Sequence, residues 1–589
     1  LVEISLNNAQ DNKTRNLAIF CFMSLSKGAP EMCKSCPDFL TQIISALFRI
    51  VAEIPEDTSW EYSADNDKPY QTALDAILAI NSNLDDRNCL KTFYDMNNNL
   101  MGDSQVPWQI KFAFISTFTA LINAVIIEEP MASVLPTIFQ SLSSSLHLET
   151  HPRIRVAIYD LMKTMSKYLA IDDNENLIGI ISAIEQASLN ENFTFGKQMA
   201  YQALIGFFSQ TYHENSEFVY KTFFIPFFPL VINELHTQSI EVVPYVVRCI
   251  GHLAKKSKQF FVPSFQQLTT ELMNLLNAST TVALSIEIIY AFNLSLANID
   301  ISDNPEAKQI CLQFIQASLP LYQNEMNTEE EMEHLTEAIT MFINKVGQDI
   351  APIIPSLLPD VMQVSLKDIS VEQIDAFEGS YSMMSFYQQI PSADKSMKSY
   401  VQYADIVEIS QSMEILKAII KCDPNAFEYL EQIINICQHW ICNKFFIEVI
   451  VLNSWDLLSI ILDKYADIES TEQETEPKKV NGIIDVFLYC FINSIDNRCN
   501  TYPLFVIVWK MQIALQHAKE RGYSNKDLFV SFLNKLPSLI NDAINRKQEN
   551  FKVLSQYNNL DISDKNLSFV DHLLLKINCL IAECYSISI

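Results

Sequence analysis

The sequence predicts an all-α protein, a solenoid of stacked antiparallel helix pairs, and three observations carry that prediction. The chain has 589 residues, too many for one compact core. It contains only 10 glycines, which disfavours a fold made of many strands and tight turns. Hydrophobic residues make up 49%, far more than a disordered chain carries. Long helices joined by short loops fit this composition.

A proline near the start of an apolar segment marks the first helix of each predicted pair. Proline is tolerated in the first helical turn, because its missing N–H would have no helical partner there. Pro226 and Pro263 lie 37 residues apart, while Pro136 precedes Pro226 by 90 and Pro355 follows Pro263 by 92, so each longer gap holds two units. The segments that show this pattern are Cys36–Leu47, Val134–Leu142, Phe224–Val231, Phe261–Leu268, Ile353–Val361 and Leu536–Asp542.

Second helices follow these segments, with apolar residues recurring at steps of three and four. They are predicted at 106–121, 151–165, 193–208, 239–254, 280–297 and 328–347. Lys111, Arg155 and Lys197 occupy matching places, 44 and then 42 residues apart. A helix pair repeating at this interval has the HEAT period, and stacked pairs bury the apolar faces that one pair leaves open. We therefore expect a HEAT-repeat superhelix of about twelve pairs with almost no β-strand.

The sequence predicts one insertion and one acidic linker within the helical array. We expect a HEAT-repeat array over 1–365, an inter-helix insertion over 366–397, and a continuing array over 398–589. The insertion is expected because 366–397 combines Gly379 with serines and methionines and breaks the helical rhythm. An acidic linker is expected near 464–480. None of these breaks implies an independent domain, since each repeat leans only on its neighbours.

Charge and cysteine usage limit the partners and the compartment. The chain has 41 Lys and Arg against 70 Asp and Glu, a net charge of −29, so we expect no direct nucleic-acid binding and an affinity for basic proteins. The 13 cysteines are scattered, which suits a reducing compartment. The apolar stretch 223–232 is too short to span a bilayer, so no membrane insertion is predicted. The chain has no secretory signal and begins with Leu1, and we interpret it as part of a longer protein.

The sequence does not favour an enzyme. No two glycines stand close enough for a phosphate-binding loop or a nucleophile elbow, and nothing indicates a cofactor. The pair Cys33 and Cys36 is a lone CxxC with no second pair, which argues against zinc or redox chemistry. Cys437, His439 and Cys442 fall in an apolar helical stretch, where they are expected to be core and surface residues.

Acidic residues concentrate in three places. The first is the segment 53–67, which also holds Trp60. The second, Glu329–Glu331 with Glu333, is expected in the first turn of a helix, where negative charge complements the dipole. The third, 467–476, is expected to be a solvated linker, because it has no apolar anchor.

Three consecutive segments resemble one protein family in sequence and in order. They are "FRIVAEIPEDTSWEYSADNDKPYQTALDAILAI" (Phe48–Ile80), "VPWQIKFAFISTFTALI" (106–122) and "HPRIRVAIYDLM" (His151–Met162). Their acidic, tryptophan-containing loop, the helix with an "ALD"-like start and the following units resemble the importin-beta (karyopherin-beta) superfamily, most closely its importin five and importin four branch. The resemblance covers roughly 1–170, and beyond that it rests on the repeat period.

The resemblance implies a nuclear transport receptor that shuttles between cytoplasm and nucleus. Such receptors bind basic cargo proteins, the Ran GTPase and phenylalanine-glycine nucleoporins. Nucleoporin peptides are expected in shallow apolar grooves between neighbouring first helices. The alternative is a HEAT-repeat scaffold of a non-transport assembly, since this repeat occurs in both classes.

The segment 53–67 is the predicted contact for basic cargo or for Ran. Several carboxylates together with one aromatic ring can hold lysine and arginine side chains through ion pairs and a cation–π contact. The candidate residues are Glu53, Glu56, Asp57, Trp60, Glu61, Asp65 and Asp67.

Overall fold

A computed structural model gives the fold of the chain, which is almost entirely helical. The residues that it describes are 1–36, 39–56, 68–84, 87–97, 100, 105–124, 138, 146, 151–168, 175–210, 215–237, 239–322, 324, 326–375, 387–390, 397–422, 428–443, 445–471, 478–494, 501–545 and 565–586. They fall into two compact units, Leu1–Ile299 and Asp300–Ile589.

The first unit is all helix in its described part. Its α-helices are α1 (Val2–Leu6), α2 (Asn12–Gly28), α3 (Pro30–Ser35), α4 (Phe39–Val51), α5 (Pro69–Leu84), α6 (Arg87–Asn97), α7 (Trp108–Ala124), α8 (Pro152–Ser166), α9 (Glu175–Asn190), α10 (Thr194–Gln210), α11 (Ser216–Val219), α12 (Ile225–Thr237), α13 (Val243–Ser257), α14 (Val262–Ala278) and α15 (Val282–Leu296). A π-helical turn, Tyr220–Phe224, joins α11 to α12, and a 3-10 turn, Lys258–Phe261, joins α13 to α14.

Second helices form a continuous row in this unit. Each packs on the next in the order α2, α5, α7, α8, α10, α13, α15. The first helices α4, α6, α9, α12 and α14 each pack on the second helix that follows them. This alternation is the predicted stack of helix pairs, and the all-α HEAT-repeat prediction is confirmed.

Prolines open several helices as the sequence predicts. Pro152 is the first residue of α8, and Pro263 is the second residue of α14. The apolar faces behind these starts form the core, in which Phe118, Phe207 and Phe261 are fully buried.

The helical stretch Ser216–His236 is longer than the apolar run seen in the sequence. Its 21 residues make it, among the described residues, the one helix long and apolar enough to cross a membrane by length and composition alone. Its aromatic residues Phe223, Phe224 and Phe227 are buried among neighbouring helices. Near its end Glu234 forms a buried ion pair with a lysine of α10, which is the behaviour of a core helix.

The second unit continues the same architecture. Its helices are α16 (Pro305–Tyr322), α17 (Glu329–Val346), α18 (Ile354–Ser365), α19 (Tyr403–Cys422), α20 (Leu430–Ile441), α21 (Glu448–Thr471), α22 (Lys478–Ser494), α23 (Thr501–Arg521), α24 (Lys526–Leu533) and α25 (Lys565–Ser586), with a further helical stretch over 536–545. A 3-10 turn, Gly347–Ile350, follows α17. Second helices α17, α19, α21, α23 and α25 pack in a row, and α16, α18, α20 and α22 pack on the helices that follow them.

A small β-sheet lies in the segment where the sequence predicts an insertion. Its strands are β1 (Val371–Asp375), β2 (Tyr387–Ile390) and β3 (Met397–Gln402), in the order β1-β3-β2. Both pairings are antiparallel, with Val371 opposite Val401 and Gln388 opposite the same valine. The expectation of almost no strand therefore holds outside this segment of the described chain. The division of the chain into an array, an insertion and a second array stays a prediction.

Part of the segment 464–480, where the sequence predicts an acidic linker, is helical, and the rest of the linker stays a prediction. Helix α21 continues to Thr471, and α22 begins at Lys478, so the residues between them lie outside the described part. Asp467 and Glu469 are therefore helical positions rather than linker residues.

Candidate interaction surfaces

The predicted acidic segment 53–67 is described only at its first residues. Glu53 and Glu56 lie in the described chain, just after α4, whereas Asp57, Trp60, Glu61, Asp65 and Asp67 lie outside it. Glu53 accepts an ion pair from Arg15, with 2.6 Å between Nη2 and Oε2. The Nε of the buried Arg15 also donates to the carbonyl of Ser5, at 2.8 Å. Glu53 thus compensates a buried charge on α2, and both Glu53 and Glu56 are exposed, so their role as partner contacts stays a prediction.

The basic residues early in the second helices also pair with carboxylates of the next repeat. Arg155 forms a two-pronged pair with Glu191, with 3.0 Å from Nε and 2.8 Å from Nη2. Lys197 lies 2.9 Å from Glu234, and both side chains are almost buried, at 8% and 11% exposure. The partners are 36 and 37 residues apart in sequence, so each pair connects a second helix to the following unit.

A third pair has the same form, although the sequence signal for it is weaker. Arg248 of α13 binds Glu287 of α15 through two hydrogen bonds, one of them 2.8 Å long. Lys111, which occupies the matching place in α7, has no ion-pair partner among the described residues. The pairs at Arg155, Lys197 and Arg248 therefore act as inter-repeat clamps, and sequence reasoning missed their carboxylates. An acidic residue recurring 36–39 positions after each basic one was the signal that could have found them.

The segment that opens α8 also has a local role. The ring of His151, the residue before α8, stacks on Trp108 at the start of α7, with centroids 3.8 Å apart and planes 13° apart. This contact joins the beginnings of two neighbouring second helices, and it explains why a tryptophan and a histidine mark consecutive units.

A groove with aromatic and aliphatic side chains lies between two neighbouring first helices, α4 and α6. It is a cavity of about 210 Å³. Ile44 and Phe48 line one side, and Phe93 and Met96 line the other. The rest of the lining is Cys89 and the polar residues Thr41, Ser45, Arg49, Thr92 and Asn97. The rings of Phe48 and Phe93 meet edge to face, 5.7 Å apart, and Met96 is 64% exposed. The groove is therefore open to an aromatic or aliphatic side chain from a partner.

The cysteines of the two motifs differ in burial. Cys33 is buried, with Sγ 3.6 Å from the carbonyl oxygen of Leu25, while Cys36 is exposed. Burial raises the pKa of Cys437 well above the usual range, which disfavours the thiolate form that a nucleophile or a zinc ligand needs. No group of three or more His, Cys, Asp or Glu in the described chain could hold a metal ion.

The second acidic cluster is a helix N-terminus, as the sequence predicts. Glu329, Glu330 and Glu331 form the first turn of α17. Thr328 and Glu331 make a reciprocal capping box, each side chain accepting from the other's backbone N–H.

Part of the sequence matches a known protein family. Residues 7–85 match a family model described as an importin repeat. No curated protein sequence matches the chain.

Solved structures share the fold along the whole chain. The crystal structure of Kap121p bound to Ste12p aligns with a TM-score of 0.76 at 14% identity, covering 100% of this chain and 54% of that one. The complex of Kap121p with RanGTP gives a TM-score of 0.62 at 14% identity, with coverage of 100% and 55%. The complex with Nup53p gives 0.65 at 14% identity, with coverage of 99% and 58%. The chain thus has the fold of a little more than half of Kap121p.

Proposed function

We propose that this chain is a non-enzymatic nuclear transport receptor of the importin-beta superfamily, related to the importin five and importin four branch. The observation that carries the proposal is a whole-chain structural likeness to Kap121p together with an importin repeat at residues 7–85. Kap121p is seen in complex with Ste12p, with RanGTP and with Nup53p. We assign the same three kinds of partner to this protein: basic cargo, Ran and phenylalanine-glycine nucleoporins. Such a receptor shuttles between cytoplasm and nucleus through the pore.

The groove between α4 and α6 is the nucleoporin site that we propose. Its aromatic and aliphatic side chains, Ile44, Phe48, Phe93 and Met96, and its place between neighbouring first helices support binding of phenylalanine side chains. Burying one phenylalanine ring there removes apolar surface from water, which contributes about 2 kcal/mol. One groove therefore binds weakly, and several grooves acting together give useful avidity.

The carboxylates of segment 53–67, together with Trp60, are the proposed contact for basic cargo or Ran. Glu53 belongs to this set although it pairs with Arg15, because it is exposed. The chain's net charge of −29 supports a basic partner, since it draws positively charged proteins toward the surface.

A pull-down with Ran loaded with GTP or with GDP, using the full-length gene product, tests the transport function. We expect retention with GTP and little retention with GDP. Equal retention in both states, or none, would favour the scaffold of a non-transport assembly instead.

The nucleoporin site is tested by retention on phenylalanine-glycine repeat resin. Met96→Glu places a charge at the open edge of the groove, so we expect severalfold weaker retention. Met32→Glu changes a methionine of α3 that is 54% exposed and does not line the groove, and it should leave retention unchanged. Identical retention of the two variants would remove the groove from the proposal.

A further inference from the structure

Three cysteines of the second unit lie where the first helices of two neighbouring repeats, α20 and α22, pack on each other. Cys442 is the residue that caps the C-terminal end of α20, and it is half-buried. Cys490 lies in α22 and is fully buried, as is Cys437 of α20. None of the three belongs to segment 53–67 or to the groove between α4 and α6.

The thiol groups of Cys442 and Cys490 are in direct contact. The Cys490 thiol donates a hydrogen bond to the Cys442 sulfur, so the contact joins side chains 48 residues apart in sequence. The end of α20 is fixed in place, because the Cys442 N–H donates to the Gln438 carbonyl at 2.9 Å and the Trp440 indole donates to the Ser365 carbonyl at 2.7 Å. Thiols held in this way need only a small side-chain movement to reach the S–S bond length of about 2 Å.

The two thiols differ in accessibility and in acidity. Cys442 is the more accessible one. The hydrogen bond from Cys490 lowers the pKa of Cys442, whereas the same hydrogen bond, together with burial, raises the pKa of Cys490. The thiolate is the form of cysteine that reacts with oxidants. Cys442 is therefore the thiol that meets a soluble oxidant first, with the Cys490 thiol beside it.

The cysteine cluster does not have the ligands of a metal site. Cys437 lies near enough to Cys490 for their charges to interact, but no three His, Cys, Asp or Glu side chains in the described part of the chain are placed to hold a metal ion. Structural zinc sites take four such ligands. The chemistry that fits two thiols in contact is oxidation to a disulfide.

We propose that Cys442 and Cys490 form a reversible disulfide in response to hydrogen peroxide, which ties α20 to α22. The Cys442 thiolate attacks one peroxide oxygen, the O–O bond breaks, and a sulfenic acid forms at Cys442 while the other oxygen leaves as water. The Cys490 sulfur then attacks the Cys442 sulfur, and the hydroxyl leaves with the thiol proton as a second water. Two thiols thus lose two electrons, and one peroxide gains them.

The bond adds a covalent tie to a contact that is otherwise only packing. Each repeat of a solenoid contacts only its neighbours, so a disulfide between two first helices restricts the movement of one repeat against the next. It also restricts the unfolded chain, which stabilises the folded state. In a reducing compartment such a disulfide forms only transiently, as a redox signal requires. This device serves a scaffold as well as a transport receptor, so it does not depend on Ran binding.

Peptide mapping of the full 589-residue chain tests the proposal. The reduced protein is treated with hydrogen peroxide, the remaining thiols are alkylated, and tryptic peptides are analysed by mass spectrometry. We expect a cross-link between Cys442 and Cys490 that dithiothreitol reverses, and a higher thermal midpoint in the oxidised protein than in the reduced one. Cys490→Ala should accumulate a sulfenic acid at Cys442 that dimedone traps, and Cys442→Ser should leave Cys490 reduced. Neither variant should show the rise in thermal midpoint.

The control variant is Cys422→Ser. Cys422 is also half-buried, but its thiol donates to the side-chain oxygen of Asn344, with 3.8 Å between Sγ and Oδ1. This variant should form the cross-link as the parent does. The proposal would be overturned if Cys442 and Cys490 stayed free at a peroxide concentration that oxidises the exposed Cys36, or if Cys490 bonded to Cys437 instead. Loss of the cross-link in Cys422→Ser, or no gain of sulfenic acid in Cys490→Ala, would also contradict it.

Discussion

At the scale of single residues, the Lys197–Glu234 pair holds two charges almost out of water. Removing one partner of a buried pair leaves the other charge uncompensated. Glu234→Gln should therefore lower the free energy of unfolding by about 3 kcal/mol, measured by urea denaturation.

The exposed pair of Glu217 and Lys221 is the control for this prediction. These residues are one helical turn apart, with side chains 48% and 66% exposed. Glu217→Gln should change the free energy of unfolding by less than about 0.5 kcal/mol, because water screens the pair. Equal costs for the two variants would mean that burial does not decide the strength of these pairs.

Glu185 of α9 is a buried carboxyl of a different kind. Burial raises its pKa to about 8, and its Oε1 has no hydrogen-bond partner among the described residues. The folded protein therefore keeps Glu185 protonated at neutral pH, whereas the unfolded chain releases the proton near pH 4.5. Stability from this group is complete below about pH 4.5 and is lost as the pH rises through about 8.

Glu185→Gln should remove this pH dependence, since glutamine stays neutral. We expect the variant to gain stability over the parent as the pH rises from 5 to 8, on the order of 4 kcal/mol across the range. Denaturant titrations of both proteins at several pH values measure this difference. A difference that stays constant with pH would show that Glu185 is already ionised in the folded protein.

At the scale of elements, the row of second helices depends on close backbone approach. Gly251 of α13 faces Ala291 of α15, and a Cβ atom at this glycine would lie 2.8 Å from the Ala291 Cα. Because that neighbour is backbone, the helices would have to move apart. Gly251→Ala should lower the free energy of unfolding by about 1–3 kcal/mol, the usual cost of overpacking, as measured by urea denaturation.

Gly179 of α9 is the matched control for Gly251. It is also helical, but a Cβ there would meet no atom within 4 Å. Gly179→Ala should stabilise the protein by up to about 1 kcal/mol, because alanine is the better helix former. If both substitutions stabilised the protein, close packing of α13 on α15 would not limit the row.

At the scale of the whole molecule, the charge of −29 and the acidic segment 53–67 make different contributions to binding. Overall charge attracts any basic partner, and salt screens this attraction beyond about 8–10 Å. A local site adds direct contacts. The variants that separate the two effects are Trp60→Ala and the combined change of Glu56, Asp57, Glu61 and Asp65 to serine.

Both loop variants should weaken binding of a basic cargo peptide or Ran at low salt, and the fourfold variant should also flatten the salt dependence. The control removes the same number of negative charges by changing four exposed carboxylates to serine: Asp303, Glu306, Glu333 and Asp527. The affinities of the loop and control variants are compared from about 50 to 300 mM salt, and circular dichroism checks that helicity is unchanged. Equal effects of the loop and control variants would reduce segment 53–67 to a solvated connector.

The sequence by itself determined the repeated helix pairs and the starts of several of these helices. Apolar spacing and first-turn prolines are local properties, so they predict α8 and α14 without any knowledge of the neighbouring repeats. The same holds for the capped first turn of α17 and for the equivalent places of Arg155 and Lys197.

Only the tertiary structure decided what these residues contact. Arg155 and Lys197 find their carboxylates 36 and 37 residues later, and Glu53 binds Arg15 across 38 residues. The groove between α4 and α6 is likewise formed by side chains from neighbouring repeats. Helical periodicity fixes which face a residue occupies, but the repeat stacking sets which faces meet, and this is why the sequence did not show that Glu53 pairs with Arg15.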